Sequence, residues 1–147
     1  MPVTNILRRK IANELQSWVY LGIREAMVKG AKEYQALRTS DPTLAVNMLK
    51  RAIDMPRRAR HRIDYAIATY GENLITNSLN RYSDCTLVEL NAEVDYLVAY
   101  AQDLYVRRTV QGENWSPLAK DIIDNVPEDS KQWNFPLPPG YLDIWGE

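Results

Sequence analysis

Residues 86–109 read TLVELNAEVDYLVAYAQDLYVRRT, and their periodicity sets the fold class. Thr86 followed by Glu89 is a capping box, in which each side chain satisfies a backbone N–H that the first helical turn leaves unpaired. Leu87, Leu90, Val94, Leu97, Ala101 and Leu104 then recur in alternating steps of three and four, which places them on one stripe of an α-helix. Gly112 follows as a C-terminal stop. Such a stripe serves either as a seam zipped against a second chain or as the core-facing side of a helix in a bundle. Val88, Val98 and Tyr105 widen the apolar face, so the sequence favours the bundle.

Upstream, the same period recurs. Leu7, Ile11, Leu15, Trp18, Ile23, Met27, Tyr34 and Leu37 follow the capping residues Thr4 and Asn5 and predict one long helix, bent at Gly22. Gly22, Ala26 and Gly30 share a face at intervals of four, the spacing of a close helix–helix contact inside a core. Ser40-Asp41-Pro42 announces the next helix, a capping residue before proline at the first helical position. Leu44, Met48, Leu49, Ala52 and Ile53 supply its stripe, and Pro56 is expected to end it. Residues 57–80 form a further helix, with Gly71 as a kink or break. Downstream, a short helix is expected from Ser116-Pro117, carrying Leu118, Ile122 and Ile123 and closed by Pro127. No strand alternation is evident.

The chain of 147 residues is long enough for one domain with a sizeable core. Its longest uncharged apolar run, residues 17–23, is far too short to span a bilayer, and nothing resembles a secretory signal; the expected setting is intracellular or within a virion, without a membrane. A single cysteine, Cys85, and a single histidine, His61, exclude an internal disulfide and the usual Cys/His metal sites. Residues 1–65 hold thirteen Lys or Arg against six Asp or Glu, whereas residues 66–147 hold five against thirteen. That division suits basic helices packed on acidic ones, head-to-tail pairing of subunits, or a basic face toward nucleic acid.

Two constellations bear on chemistry. Glu89 and Glu93 lie one turn apart, with Tyr96 and Tyr100 continuing their face; a di-iron bundle needs Glu-x-x-His pairs, and Arg58 stands three before His61. A second acidic pair for a magnesium-dependent nucleotidase is missing too, so a salt-bridged face is the reading. No phosphate loop, nucleophile elbow or metalloprotease motif occurs; no catalytic, metal or cofactor-binding residue is assigned, and the chain reads as a non-enzyme. The second constellation is the basic run Arg57, Arg58, Arg60, His61 and Arg62. Arginine matches phosphate or carboxylate bidentately, so Arg57, Arg58, Arg60 and Arg62 are the candidates for contact with phosphate or with an acidic partner. Without Asn or Gln among them they would follow a nucleic-acid backbone and not its bases.

The last fifteen residues, WNFPLPPGYLDIWGE (133–147), depart from everything before them. Burying Trp133, Phe135, Tyr141 and Trp145 gains ~20 kcal/mol gross, at ~200 Å² each and ~25 cal/mol/Å². Ordering the fifteen residues costs about as much, at ~1.5 kcal/mol each. Such a segment orders only in a preformed groove, on its own chain or on another. Pro136-Leu137-Pro138-Pro139 favours an extended path with a turn near Gly140, and Trp133, Phe135, Leu137, Tyr141, Ile144 and Trp145 are the candidate partner-binding residues.

The expected architecture is therefore all-α: three or four long antiparallel helices and a short one over residues 1–126, then an extended C-terminal arm over 127–147. In outline this resembles the connector or adaptor subunits of tailed-phage necks. The resemblance implies a structural role in a homo-oligomer or larger assembly, with the arm and charged faces making subunit contacts. The competing expectation is a small nucleic-acid-binding regulator that uses the Arg57–Arg62 run.

Overall fold

A computed structural model of the chain describes residues 4–17 and 22–126. Among them are six α-helices and no strand: α1 (Asn5–Glu14), α2 (Gly22–Leu37), α3 (Pro42–Tyr70), α4 (Glu72–Tyr82), α5 (Leu87–Thr109) and α6 (Trp115–Asn125). The capping box of α5 forms in both directions, with the Glu89 N–H donating to Thr86 Oγ1 and the Thr86 N–H to Glu89 Oε1, each at 3.1 Å. All six residues of its stripe are buried, facing α3, with α4 and α6 at the flanks. The stripe is thus core and not an outer seam. Val88, expected to widen it, is instead 78 % exposed; it lies about 100° around the helix from Leu87, past the edge of the buried face.

The N-terminal helix is not one rod. Thr4 caps α1 by accepting the Leu7 N–H at 3.1 Å, and after Glu14 the chain takes a wider helical turn over 15–17. α2 then starts at Gly22, where the bend was expected. The two helices serve different neighbours, α1 packing on α4 and α2 on α3 and α6, which a single straight helix could not do. Trp18 lies outside the described residues. α2 and α3 form a helical hairpin whose close contact is Gly30: a Cβ there would sit 2.6 Å from Ala52 Cβ and 3.0 Å from the Met48 carbonyl oxygen. Glycine is required by space at that position, as its shared face with Gly22 and Ala26 suggested.

α3 corrects the largest error of the sequence reading. Asp41 caps it through the Leu44 N–H at 3.2 Å and Pro42 opens it, but Pro56 does not end it, and the helix runs 29 residues to Tyr70. Proline inside a helix removes one backbone hydrogen bond and costs about 3 kcal/mol. On either side of it, however, Leu49, Ala52, Ile53, Ala59, Ile63 and Ala66 form one continuous buried stripe, and each large aliphatic side chain so buried contributes ~1.5–3 kcal/mol. Packing therefore overrides the local preference. The stripe is also shifted by one residue at its start, with Ala45 buried and Leu44 39 % exposed.

The break predicted near Gly71 is real. Gly71 has φ +87° and ends α3 while opening α4, a conformation that side chains with a Cβ rarely adopt. Gly112, at φ +71°, follows the end of α5. α6 begins at Trp115, three residues beyond Gly112 and one before the expected Ser116. Its residues Leu118, Ala119 and Ile122 complete the core against α2. Pro127 and the arm lie outside the described residues. No helix among the described residues is long and apolar enough to cross a membrane.

Candidate interaction surfaces

The arginines of the basic run sit on the second half of α3 and meet different surroundings. Arg60 reaches α5, where Nη1 donates to Asn91 Oδ1 at 2.8 Å and Nη2 to Asp95 Oδ1 at 2.5 Å. Arg62 reaches α1, where Nη2 lies 3.2 Å from Glu14 Oε2. Arg58 is 4 % exposed; burial, and next the charge of Arg51, push its pKa below the ordinary guanidinium value, and Asp54 opposes them. Glu25 of α2 and Asp54 of α3 are buried as well. Arg57 and His61 are half-buried. The run is thus drawn into contacts between helices, and Arg24 of α2 pairs in the same way with Glu93 of α5. Arg24–Glu93 and Arg60–Asp95 join the basic half of the sequence to the acidic half.

The carboxylate pair of α5 is divided between two tasks. Glu89 is committed to the capping box and Glu93 to Arg24, while Tyr96 is 65 % exposed. Among the described residues no group of three or more His, Cys, Asp or Glu could hold a metal ion. Cys85 is buried in the turn before α5, its N–H donating to Ser83 Oγ at 3.3 Å. Burial raises its pKa, so at neutral pH it is a protonated, poorly nucleophilic thiol.

Two features escaped the sequence reading. The first is a network at the joint between α5 and α6. Arg107 holds Glu113 bidentately, both distances 2.7 Å, and Asp121 at 2.9 Å. The Tyr100 hydroxyl donates to Asp121, and Asn125 Nδ2 adds a bond at 3.3 Å. Burial, then the hydrogen bond to Asp121, lifts the Tyr100 phenol well above its ordinary range. For Asp121 burial alone would raise the pKa, but the hydrogen bonds from Tyr100 and Arg107 outweigh it and hold the carboxyl low. The hydrogen bonds to Arg107 likewise lower Glu113.

The second feature is a cationic cluster around Trp115. The Arg108 guanidinium lies 4.8 Å from the ring centroid and Lys50 Nζ 5.9 Å, within cation–π range. Arg38 Nη1 donates to the neighbouring Ser116 Oγ at 2.8 Å, and Tyr34 Oη lies 3.2 Å from the same oxygen. Among the described residues Arg38 and Arg108 pair with no carboxylate. These side chains come from four helices, so no local motif announces them; the only signal was Trp115 soon after Arg107-Arg108.

α1 and the last turns of α3 line a groove with about 180 Å³ of room. Leu7, Ile11, Leu15 and Ala66 line it together with Tyr65, Tyr70, Lys10, Glu14 and Arg62. The candidate partner-binding residues Trp133, Phe135, Leu137, Tyr141, Ile144 and Trp145 lie outside the described residues. Compared with known proteins, the chain matches no family model, no curated protein and no solved structure.

Proposed function

We propose that the protein is a non-enzymatic structural subunit, a helical bundle over residues 1–126 whose C-terminal arm, 127–147, joins it to further copies within a larger assembly. The observation that carries this reading is how the helical body uses its side chains. Each helix from α1 to α6 packs on another, and Arg24, Arg60, Arg62 and Arg107 are spent on holding helices together. A body so engaged leaves the aromatic arm as the part of the sequence whose chemistry calls for a partner surface. A virion connector or head–tail adaptor is the kind of assembly that such an architecture suits, by analogy of form alone. Removing residues 131–147 tests the reading: the truncated chain should assemble into fewer copies in solution than the full chain, and an equal number of copies would deny the arm its role.

A second reading has one observation in its favour. Arg38, Lys50 and Arg108 around Trp115 form a basic surface that could follow phosphates, in place of the Arg57–Arg62 run, of which Arg60 is committed to α5 and Arg62 to α1. A nucleic-acid-binding regulator would show binding that falls steeply with salt. It would lose that binding in Arg38→Glu/Arg108→Glu; salt-insensitive or absent binding rejects it.

A further inference from the structure

Tyr65 and Tyr70 are 43 % and 42 % exposed, five residues apart at the end of α3. Isolated exposed aromatics are ordinary. Both line a groove together with the apolar Leu7, Ile11, Leu15 and Ala66 and the cation Lys10. Arg62 adds a second cation there, shared with Glu14. A slot of this kind suits one large aromatic side chain carried on an acidic segment.

The arm is such a segment. Residues 127–147 contain Glu128, Asp129, Asp143 and Glu147 against Lys131 alone. Trp145 has Asp143 two residues before it and Glu147 two after, so an indole seated in the slot brings a carboxylate to the edge on either side. The groove is lined by α1 and α3, whereas α6, which the arm follows, packs chiefly on α2. Twenty-one residues at ~3.3 Å each can extend ~70 Å, more than enough to bridge two molecules.

We propose that the groove between α1 and α3 is the seat of Trp145 from the arm of a second copy of the chain. This rests on the assembly reading above and names its contact. The contact joins an arm to a groove, two different surfaces, so two copies can exchange arms and close a dimer, or the contact can pass from copy to copy into a ring or filament.

The test uses full-length variants and sedimentation velocity. Trp145→Ala, which spoils the arm, and Tyr65→Ala/Tyr70→Ala, which spoils the groove, should each raise the concentration needed for assembly at least tenfold. An equimolar mixture of the two should regain a two-chain species, because one intact arm then meets one intact groove. Lys10→Glu, on an exposed side chain and therefore little risk to folding, should weaken assembly and be rescued in part by Asp143→Lys. The proposal is overturned if the groove variants assemble like the wild type while removal of residues 131–147 still prevents assembly; the assembly reading then survives without this groove. If removing the arm changes nothing, the reading itself falls. A wild-type chain that stays monomeric, with its arm held by its own groove, also overturns the proposal.

Discussion

Tyr100, Arg107, Glu113 and Asp121 show how single residues tie stability to pH. Glu113 and Asp121 have pKa values below their ordinary 4.5 and 3.8. Their contribution is therefore complete above those values and is lost as pH falls through the lower, folded ones. Tyr100 is raised above its ordinary 10.0, so its contribution is complete below pH 10 and declines as pH rises toward the folded value. Urea denaturation across pH should accordingly give a plateau with an acid and an alkaline limb. Arg107→Gln should flatten the acid limb and Tyr100→Phe the alkaline one. A limb unchanged by its variant would mean that other groups carry it. At Gly30 the limit is space, not charge. Gly30→Ala should destabilise by about 2 kcal/mol through overpacking, and Ala52→Gly in the same chain should recover part of that loss because Ala52 Cβ is the atom met first.

At the scale of the element, caps and breaks act where the sequence puts them. Thr86→Ala removes the acceptor for the Glu89 N–H and should lower stability by about 1 kcal/mol in thermal or urea unfolding. Gly71→Ala should also destabilise, since its φ of +87° is strained for any residue with a Cβ. The stripe of α5, its capping box, the Asp41-Pro42 start and the Gly71 break were all legible because each is set by neighbours within about one turn, or by strict periodicity. Pro56 was misread for the complementary reason. Its effect depends on what flanks the helix in space, and the buried stripe from Leu49 to Ala66 is longer than the penalty is large. The surfaces were less legible still. Arg60 was singled out as an arginine that could meet phosphate, but its meeting with Asn91 and Asp95 is a matter of helix packing, and the Trp115 cluster draws on residues from 38 to 115.

For the whole molecule, the division of charge between the two halves of the sequence has a concrete outcome in Arg24–Glu93 and Arg60–Asp95, which brace α2 and α3 against α5. Such part-exposed pairs add modest stability and more to the choice of neighbour. Double charge reversal, Arg60→Glu with Asp95→Arg, should retain more stability than either single change. In the proposed contact, the acidic arm and the groove beside Lys10 would extend the same complementarity from within the chain to between chains. The central claim is that the arm makes assemblies. It is tested most directly by sedimentation equilibrium of the full chain and of the chain lacking residues 131–147, over the same concentrations. The account predicts a multiple of 17.0 kDa for the full chain and a single helical body for the shortened one; the same number of chains in both would contradict it.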